Sequence, residues 1–382
     1  MTNTPSTSHL TELPELPDEI IWQILVRCEP KTASRCKVLN SVWNQSISSP
    51  EFAKQSTTHN AHNNTIIVLQ FGYPNFIQLI NWISMLYAES GVPLDAQLPI
   101  QGPHIFDWSI IGSDKGLIAI NYSTDGVGSD FLIWNPLTGA QRHIADPFGR
   151  DIQMDTNNFG FTYDLDSQAY YICHVYKNTN IDHELNWRVY NSIDDLWEDG
   201  SLDQHSIQKL GPTTLMYKGH AVWINWVGPS FNTPHSIVMF NLKYRTIERF
   251  RIPSIAKNQL NYITLFRGYL CYVSYATGLP NSSLTLWKVN PEEGSIGLWE
   301  RHLQIRGISI GDKPDLFLGN NVLLLHEHSG NLMRANDRKT TEVVLTTLNI
   351  YTEELKHIFY RHWHEEVHLN SLIVHNHGLL TP

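Results

Sequence analysis

Charge is the first shortage. Only 17% of the 382 residues are Asp, Glu, Lys or Arg, against about 25% in ordinary globular chains. That argues against a coiled coil, a charge-laced helical array or a disordered tail protein. Cations are scarcer than acids, 27 against 37, so the formal net charge is −10. A nucleic-acid binder needs a basic footprint to neutralise phosphates, so no nucleic-acid partner is expected. Cysteine is scarce too. Cys28, Cys36, Cys173 and Cys271 are scattered and form no C-x-x-C pair. A disulfide framework, a zinc ribbon and a thioredoxin-like site are excluded, and a reducing compartment is implied. The longest unbroken aliphatic runs, such as Val322-Leu323-Leu324-Leu325, are far short of the ~20 residues that cross a bilayer. Met1–His9 has neither the basic nor the apolar region of a secretory signal. An intracellular chain with no membrane partner is expected, in the cytoplasm, the nucleus or both. G-x-G-x-x-G and P-loop motifs are both missing.

Aromatics, by contrast, are plentiful: 12 Trp, 16 Tyr and 14 Phe. They supply a large core and favour strands. Two regimes divide the chain. Residues 13–56 read as helical. Pro17 suits a first helical position, and Asp18 and Glu19 suit the positive end of a helix dipole. Ile20, Ile21, Ile24, Leu25 and Cys28 follow at helical spacing, and Glu29-Pro30 ends that helix. A second helix is expected from about Lys31 to Gln45, carrying Cys36, Val38, Leu39 and Trp43. Ser49-Pro50-Glu51 is a cap, a proline and a first-turn acid, and starts a third helix with Phe52. Three short helices make a core too small to stand alone, so the unit should lean on a partner or on the next domain.

From residue 62 to 375 the pattern is short apolar runs separated by Gly, Pro, Asn and Asp clusters. The runs are Ile66–Leu69, Leu117–Ile120, Tyr170–Ile172, Val222–Ile224, Tyr269–Val273 and Val322–Leu325. Phe76–Ala88 fits strand or helix spacing and is read as strand.

An apolar residue followed by Asn recurs at Ile80-Asn81, Trp134-Asn135, Tyr190-Asn191, Phe240-Asn241, Val289-Asn290 and Leu348-Asn349, at spacings of 54, 56, 50, 49 and 59. Two copies continue as Asn-Pro-x-x-Gly, at Asn135–Gly139 and Asn290–Gly294. This is hairpin chemistry: Asn caps the turn, Pro pre-sets φ and Gly takes the left-handed position. Ile144, Phe250, Trp299 and Ile358 each follow nine residues after an Asn. A second landmark is a Gly ahead of the apolar run, at Gly116, Gly219, Gly268 and Gly319. Repeats of ~50 residues with three or four strands match propeller blades, about six of them. Unrelated hairpins stacked in a sandwich are the competing fold. A ring must also close, and Leu372-Ile373-Val374 can pair back onto the first blade.

These residues resemble a known family. Leu16-Pro17-Asp18-Glu19-Ile20-Ile21-x-x-Ile24-Leu25-x-Arg27, Arg35-x-x-Val38-Leu39-x-x-x-Trp43 and Ser49-Pro50-Glu51-Phe52 are similar to an F-box. Gly112–Leu117, Trp134–Thr138, Phe159–Asp164 and Phe240-Asn241-Leu242 are similar to the F-box-associated, kelch-like propeller of plant F-box proteins. The resemblance implies a small all-α F-box of three helices followed by an all-β propeller. Its boundaries would be a tail at 1–12, the F-box at 13–56, a linker at 57–64, the propeller at 65–375 and a tail at 376–382. It implies a non-catalytic substrate receptor of a Skp–cullin–F-box ubiquitin ligase, needing no cofactor. The F-box would bind a Skp-family adaptor, and through it cullin, while the propeller holds a target protein for ubiquitin-dependent degradation. Leu16, Pro17, Ile20, Ile24, Leu25, Val38, Leu39 and Trp43 are the expected adaptor-binding residues. Catalytic, cofactor and metal residues are expected to be absent. Glu29 and Ala33-Ser34 depart from the F-box pattern. They motivate the alternative of a propeller scaffold or sensor with a vestigial F-box.

Three features suggest other chemistry. His364-Glu365-Glu366-Val367-His368 matches H-E-x-x-H, which on a helix would hold zinc with Glu365 as base, giving a metal-dependent hydrolase. Ser371 and Val374 stand where a metzincin extension needs Gly and His, and the segment is rich in His anyway. His326-Glu327-His328 offers two ligands on one strand face and no third. Asp194, Asp195, Glu198 and Asp199 around Trp197 read as a solvated loop, with a site for a basic substrate as the alternative. Trp223, Trp226, Trp287 and Trp299 are expected mostly in blade cores.

Overall fold

The computed structural model describes residues 16–60, 65–74, 79–87, 93–94, 99, 107–123, 130–147, 158–177, 185–201, 207, 209–211, 214–227, 233–252, 259–276, 283–289, 299–306, 313–318, 322–330, 341–349, 351–352, 355–363, 368–376, 380 and 382. Four helices open the chain: α1 Asp18–Arg27, α2 Pro30–Cys36, α3 Ser41–Ile47 and α4 Pro50–His59. Three were expected. The difference lies in the second, which breaks at Lys37–Leu39 because Asn40 starts a new helix. The Asn40 side chain accepts from the Val42 N–H at 2.7 Å, a cap that competes with helix continuation. Pro17 stands one place outside α1 as its N-cap, not inside it. Ser49 caps α4 through the Phe52 N–H, with Pro50 at the first position, as its sequence indicates.

The rest is antiparallel sheet. The first sheet runs β25–β1–β2–β3, with β1 Thr65–Pro74, β2 Leu79–Tyr87, β3 Pro93–Leu94 and β25 His368–Asn376. The second holds β4 Asp107–Asp114, β5 Leu117–Ser123, β6 Asp130–Trp134 and β7 Gln141–Ile144. The third holds β8 Asn158–Asp164, β9 Ala169–Lys177, β10 Leu185–Asn191 and β11 Leu196–Ser201. The fourth has β12 Lys209–Leu210, β13 Leu215–Tyr217, β14 His220–Val227, β15 Thr233–Asn241 and β16 Ile247–Arg251. The fifth is β17 Gln259–Phe266, β18 Tyr269–Ala276, β19 Ser283–Val289 and β20 Trp299–Arg306. The sixth is β21 Lys313–Leu318, β22 Val322–Gly330, β23 Thr341–Asn349 and β24 Leu355–Trp363.

Leading strands of successive sheets lie side by side: β25 by β4, β4 by β8, β8 by β13, β13 by β17, and β17 by β21. This arrangement is consistent with a β-propeller. Closure is as the sequence suggests. β25 pairs with β1, setting Leu372, Ile373 and Val374 opposite Leu69, Val68 and Ile67. The chain's two sheet-forming ends thus share one sheet and cover each other's edge.

All six apolar runs are the second strand of their sheet, namely β1, β5, β9, β14, β18 and β22. A second strand is hydrogen-bonded on both edges and covered on both faces, so it tolerates no polar alternation. Ile66–Leu69 and Leu117–Ile120 accordingly have no exposed surface. Sheets approach closely where a side chain would obstruct them. A Cβ on Gly112 of β4 would meet the Phe161 Cβ of β8 at 3.0 Å.

Two turn types repeat at one end of the sheets. Between first and second strands, Lys115-Gly116, Lys218-Gly219 and Arg267-Gly268 each place two successive residues at positive φ. That is the type I′ hairpin turn, whose twist suits the flanking strands. Gly319 lies outside the described residues. The copy missing from the glycine series is the β8–β9 turn. Asp164 caps it instead, through the Asp166 N–H, and Gln168 takes the positive φ.

Between third and fourth strands the repeated Asn caps the turn. Asn135, Asn241 and Asn349 each accept two N–H groups, and Asn191 accepts one. Gly139, Asp195 and Arg245 follow four residues later at positive φ. Ile80-Asn81 does not belong to this series. It sits at the start of β2, paired with Tyr73 and Gly72, whereas the other copies end a third strand. The strand reading of Phe76–Ala88 holds for its described part, Leu79–Tyr87.

Candidate interaction surface

The helical unit is built around Phe52, Val26 and Ala33, which are fully buried. Trp22 meets Phe52 edge to face at 5.0 Å, and its indole N–H donates to Gln55 at 3.1 Å. Asn60 ties the ends of α1 and α4 together. Its amide donates to the carbonyls of Val26 and Cys28, both at 3.2 Å, and of Ser56 at 2.9 Å. Val26 and Cys28 lie at the end of α1, where the last carbonyls have no partner within the helix. The unit leans on the sheets as its small size requires. One buried cluster runs from Leu25, Val26, Ile47 and Phe52 into Leu117, Phe131, Ile133 and Phe161. Lys54 of α4 pairs with Asp166 of the β8–β9 turn at 3.4 Å.

Helix α1 is apolar on two faces, and only one of them is inside. Leu25 and Val26 are buried, whereas Ile20 and Ile24 lie exposed in line with Leu16. Pro17 is exposed beside them. The α2–α3 turn adds Val38, 87% exposed, and Leu39, 70% exposed. Six of the eight expected adaptor contacts, Leu16, Pro17, Ile20, Ile24, Val38 and Leu39, therefore face solvent. Leu25 and Trp43 pack into the unit's own core instead. Val42, exposed one turn from Leu39, was not anticipated. Its signal was the same one: an aliphatic residue at a position the helix core does not use. Aliphatic residues this exposed and this concentrated make this face the candidate interaction surface.

The other candidates resolve into structure. Asp195 and Glu198 hold neighbouring sheets. Asp195 pairs with Arg142 of β7 at 2.9 Å, and Glu198 with Arg245 at 2.8 Å. Trp197 stacks near Phe131 and Tyr190 and donates to the Ala145 carbonyl at 3.0 Å. Trp223 is fully buried, and Trp226, Trp287 and Trp299 pack against the core of the fourth and fifth sheets. His364–Val367 lie outside the described residues, and His368 begins β25 rather than continuing a helix. His326 and His328 lie within β22. Among the described residues, no group of three His, Cys, Asp or Glu could hold a metal ion.

Burial governs the titratable groups between the second and third sheets. Arg188 of β10 and Asp146 are both buried and pair at 3.1 Å. His174 of β9 sits beside them, stacked on Phe159 with ring centroids 4.3 Å apart. Its burial, and then the Arg188 charge, push its pKa down to about 3. Burial likewise pushes the Cys173 and Cys271 thiols up to about 12, which leaves them poor nucleophiles. The Asp114 carboxyl is raised by burial, against the opposing pull of Lys115 and of hydrogen bonds from Tyr163 and Thr162.

The sequence family described as the F-box associated beta propeller domain matches residues 109–372. An Arabidopsis thaliana chain described as an F-box protein is 21% identical over 336 residues, covering 86% of this chain and 89% of its own. Similarity to solved structures is more distant. A selenium-binding protein described as hypothetical, from Sulfolobus tokodaii, is 10% identical at a TM-score of 0.43, covering 88% of this chain and 98% of its own. The propeller domain of the Trilobed protease from Pyrococcus furiosus is 9% identical at 0.35, covering 70% and 84%. At that distance they say nothing of this chain's chemistry. The sheets, the helices ahead of them and the family match agree: the chain belongs to the plant F-box proteins that carry an F-box-associated β-propeller domain.

Proposed function

We propose that the chain is the substrate receptor of a Skp–cullin–F-box ubiquitin ligase. In this reading residues 13–56 dock on a Skp-family adaptor, and a six-bladed propeller over 65–375 holds the target protein for ubiquitination. The supporting observation is the exposed aliphatic surface of Leu16, Ile20, Ile24, Val38 and Leu39, on helices whose core is already complete without it. An apolar helix surface of this kind is what a groove on a partner accepts. The chain works by proximity, raising the local concentration of target lysines near a charged ubiquitin carrier. No residue of the chain performs chemistry, and the reaction belongs to the assembled ligase inside the cell.

Co-purification with a Skp-family adaptor tests this. Ile24→Asp and Leu39→Asp place charges on exposed positions, so the fold should survive. Each should weaken adaptor binding by about thirtyfold or more, the scale of an interface hot spot. Unchanged binding in the double variant, or no binding by the native chain, would sink the reading.

A further inference from the structure

The repeated Asn at the third-to-fourth-strand turn has one job in every described copy and a second that differs between copies. Its Oδ1 caps its own turn, as Asn135 does for the N–H groups of Leu137 at 2.9 Å and Thr138 at 3.2 Å. The amide nitrogens then diverge. Asn191 donates within its own turn to Asp194, and Asn241 faces His220 of the adjoining strand. The Asn135 Nδ2 instead donates to the Leu380 carbonyl at 2.7 Å, 245 residues away along the chain. Both residues are buried, Asn135 completely. A hydrogen bond shielded from water in this way is costly to lose, because each partner would be left unsatisfied.

The Leu380 side chain does the complementary work. It is 5% exposed and belongs to the cluster that joins Leu25, Val26 and Phe52 of the helices to Leu117 and Phe131 of the second sheet. A polar link from the helices to the sheets is the Lys54–Asp166 pair. Asp166 is 94% exposed there, and a pair so open to water holds little. The seam is therefore largely apolar, with the Asn135–Leu380 bond as a buried anchor beside it.

We propose that the segment at Leu380 is a clasp that fixes the helical unit on the propeller. Asn135 holds its backbone, and the Leu380 side chain fills the seam. Two small units joined only by a linker swing independently unless an apolar interface restrains them. The clasp supplies that restraint, so the helices and the sheets turn as one body. If the chain is a ligase receptor, as proposed above, the clasp sets the angle at which a bound target faces the ubiquitin carrier.

Hydrogen–deuterium exchange on the full chain tests the clasp without any partner. Leu380→Ala removes the filler. Asn135→Asp keeps the oxygen that caps the turn and removes the N–H that grips Leu380. Both variants should speed exchange in α1–α4 by at least about tenfold while β5, β9 and β10 stay protected. A response in neither variant, or in only one, overturns the two-point clasp. Equal loss of protection in the strands also overturns it, because Leu380 would then be ordinary sheet core. Adaptor capture is a separate readout, so this proposal and the receptor reading can fail independently.

Discussion

His174 makes the chain sensitive to acid in a way that can be worked out beforehand. Its ring is buried between Phe159 and Tyr176, beside the Arg188–Asp146 pair, and neither ring nitrogen has a hydrogen-bond partner among the described residues. The folded state therefore holds a neutral imidazole with a pKa of about 3, against 6.5 when exposed. A depressed histidine pKa means that the unfolded chain binds the extra proton first. The stabilisation is complete above pH 6.5 and is lost as pH falls from there towards 3. At pH 5 the unfolded state is already almost fully protonated at this site and the folded state is not. The free-energy difference is about 2 kcal/mol relative to pH 7.5.

Urea unfolding at the two pH values, followed by Trp fluorescence, reads this directly. Other groups titrate too, so the comparison is with His174→Phe, which keeps a ring in the stack but carries no proton. The native chain should lose about 2 kcal/mol more than the variant between pH 7.5 and pH 5. With a slope of about 3 kcal/mol/M, that is a midpoint difference of about 0.7 M. His174→Gln serves as a second reference if the larger ring crowds the site. Equal losses in native chain and variants would show that His174 is already solvated, and would refute the argument.

The buried ion pair and the exposed one should behave differently. Asp146→Ala removes the carboxylate paired with the buried Arg188 and should cost about 3–5 kcal/mol, whereas Glu198→Ala, whose own side chain is 57% exposed, should cost less than about 1 kcal/mol; chemical denaturation of both variants checks the contrast. Gly268→Ala meets open space, yet its φ of +74° disfavours a side chain. It should cost about 1–2 kcal/mol through backbone strain alone. Thermal melting checks this, and Gly268→Asn, which tolerates the left-handed region, should recover much of the loss.

Much of the architecture was legible locally. An apolar run bounded by turn residues is a buried strand whatever surrounds it, and all six runs are second strands. The Asn cap and the glycine of the hairpin turns are decided within five residues, so they repeat visibly. The ring closure was also readable, because Leu372–Val374 is an apolar run near the end of the chain that can pair back onto the first blade. The misreadings came where a local signal had two outcomes. Ile80-Asn81 has the right residues at the wrong end of its strand. Asn40, in a stretch of helical spacing, captured the Val42 N–H and split one expected helix into two.

The candidate surface shows the limit most clearly. Sequence by itself determined that α1 carries Ile20, Ile21, Ile24 and Leu25, and hence that a helix forms with more apolar surface than one small core can use. It could not decide which residues were surplus. A helix apolar on two faces has no periodicity that tells inside from outside. Tertiary structure decided it, because Phe52, Ile47 and Ala33 cover only the side carrying Leu25 and Val26, leaving Leu16, Ile20 and Ile24 in water. The same holds for Leu380 and His174. Their partners, Asn135 and the Arg188–Asp146 pair, are brought to them by sheet packing, and no spacing along the chain encodes a contact made across it.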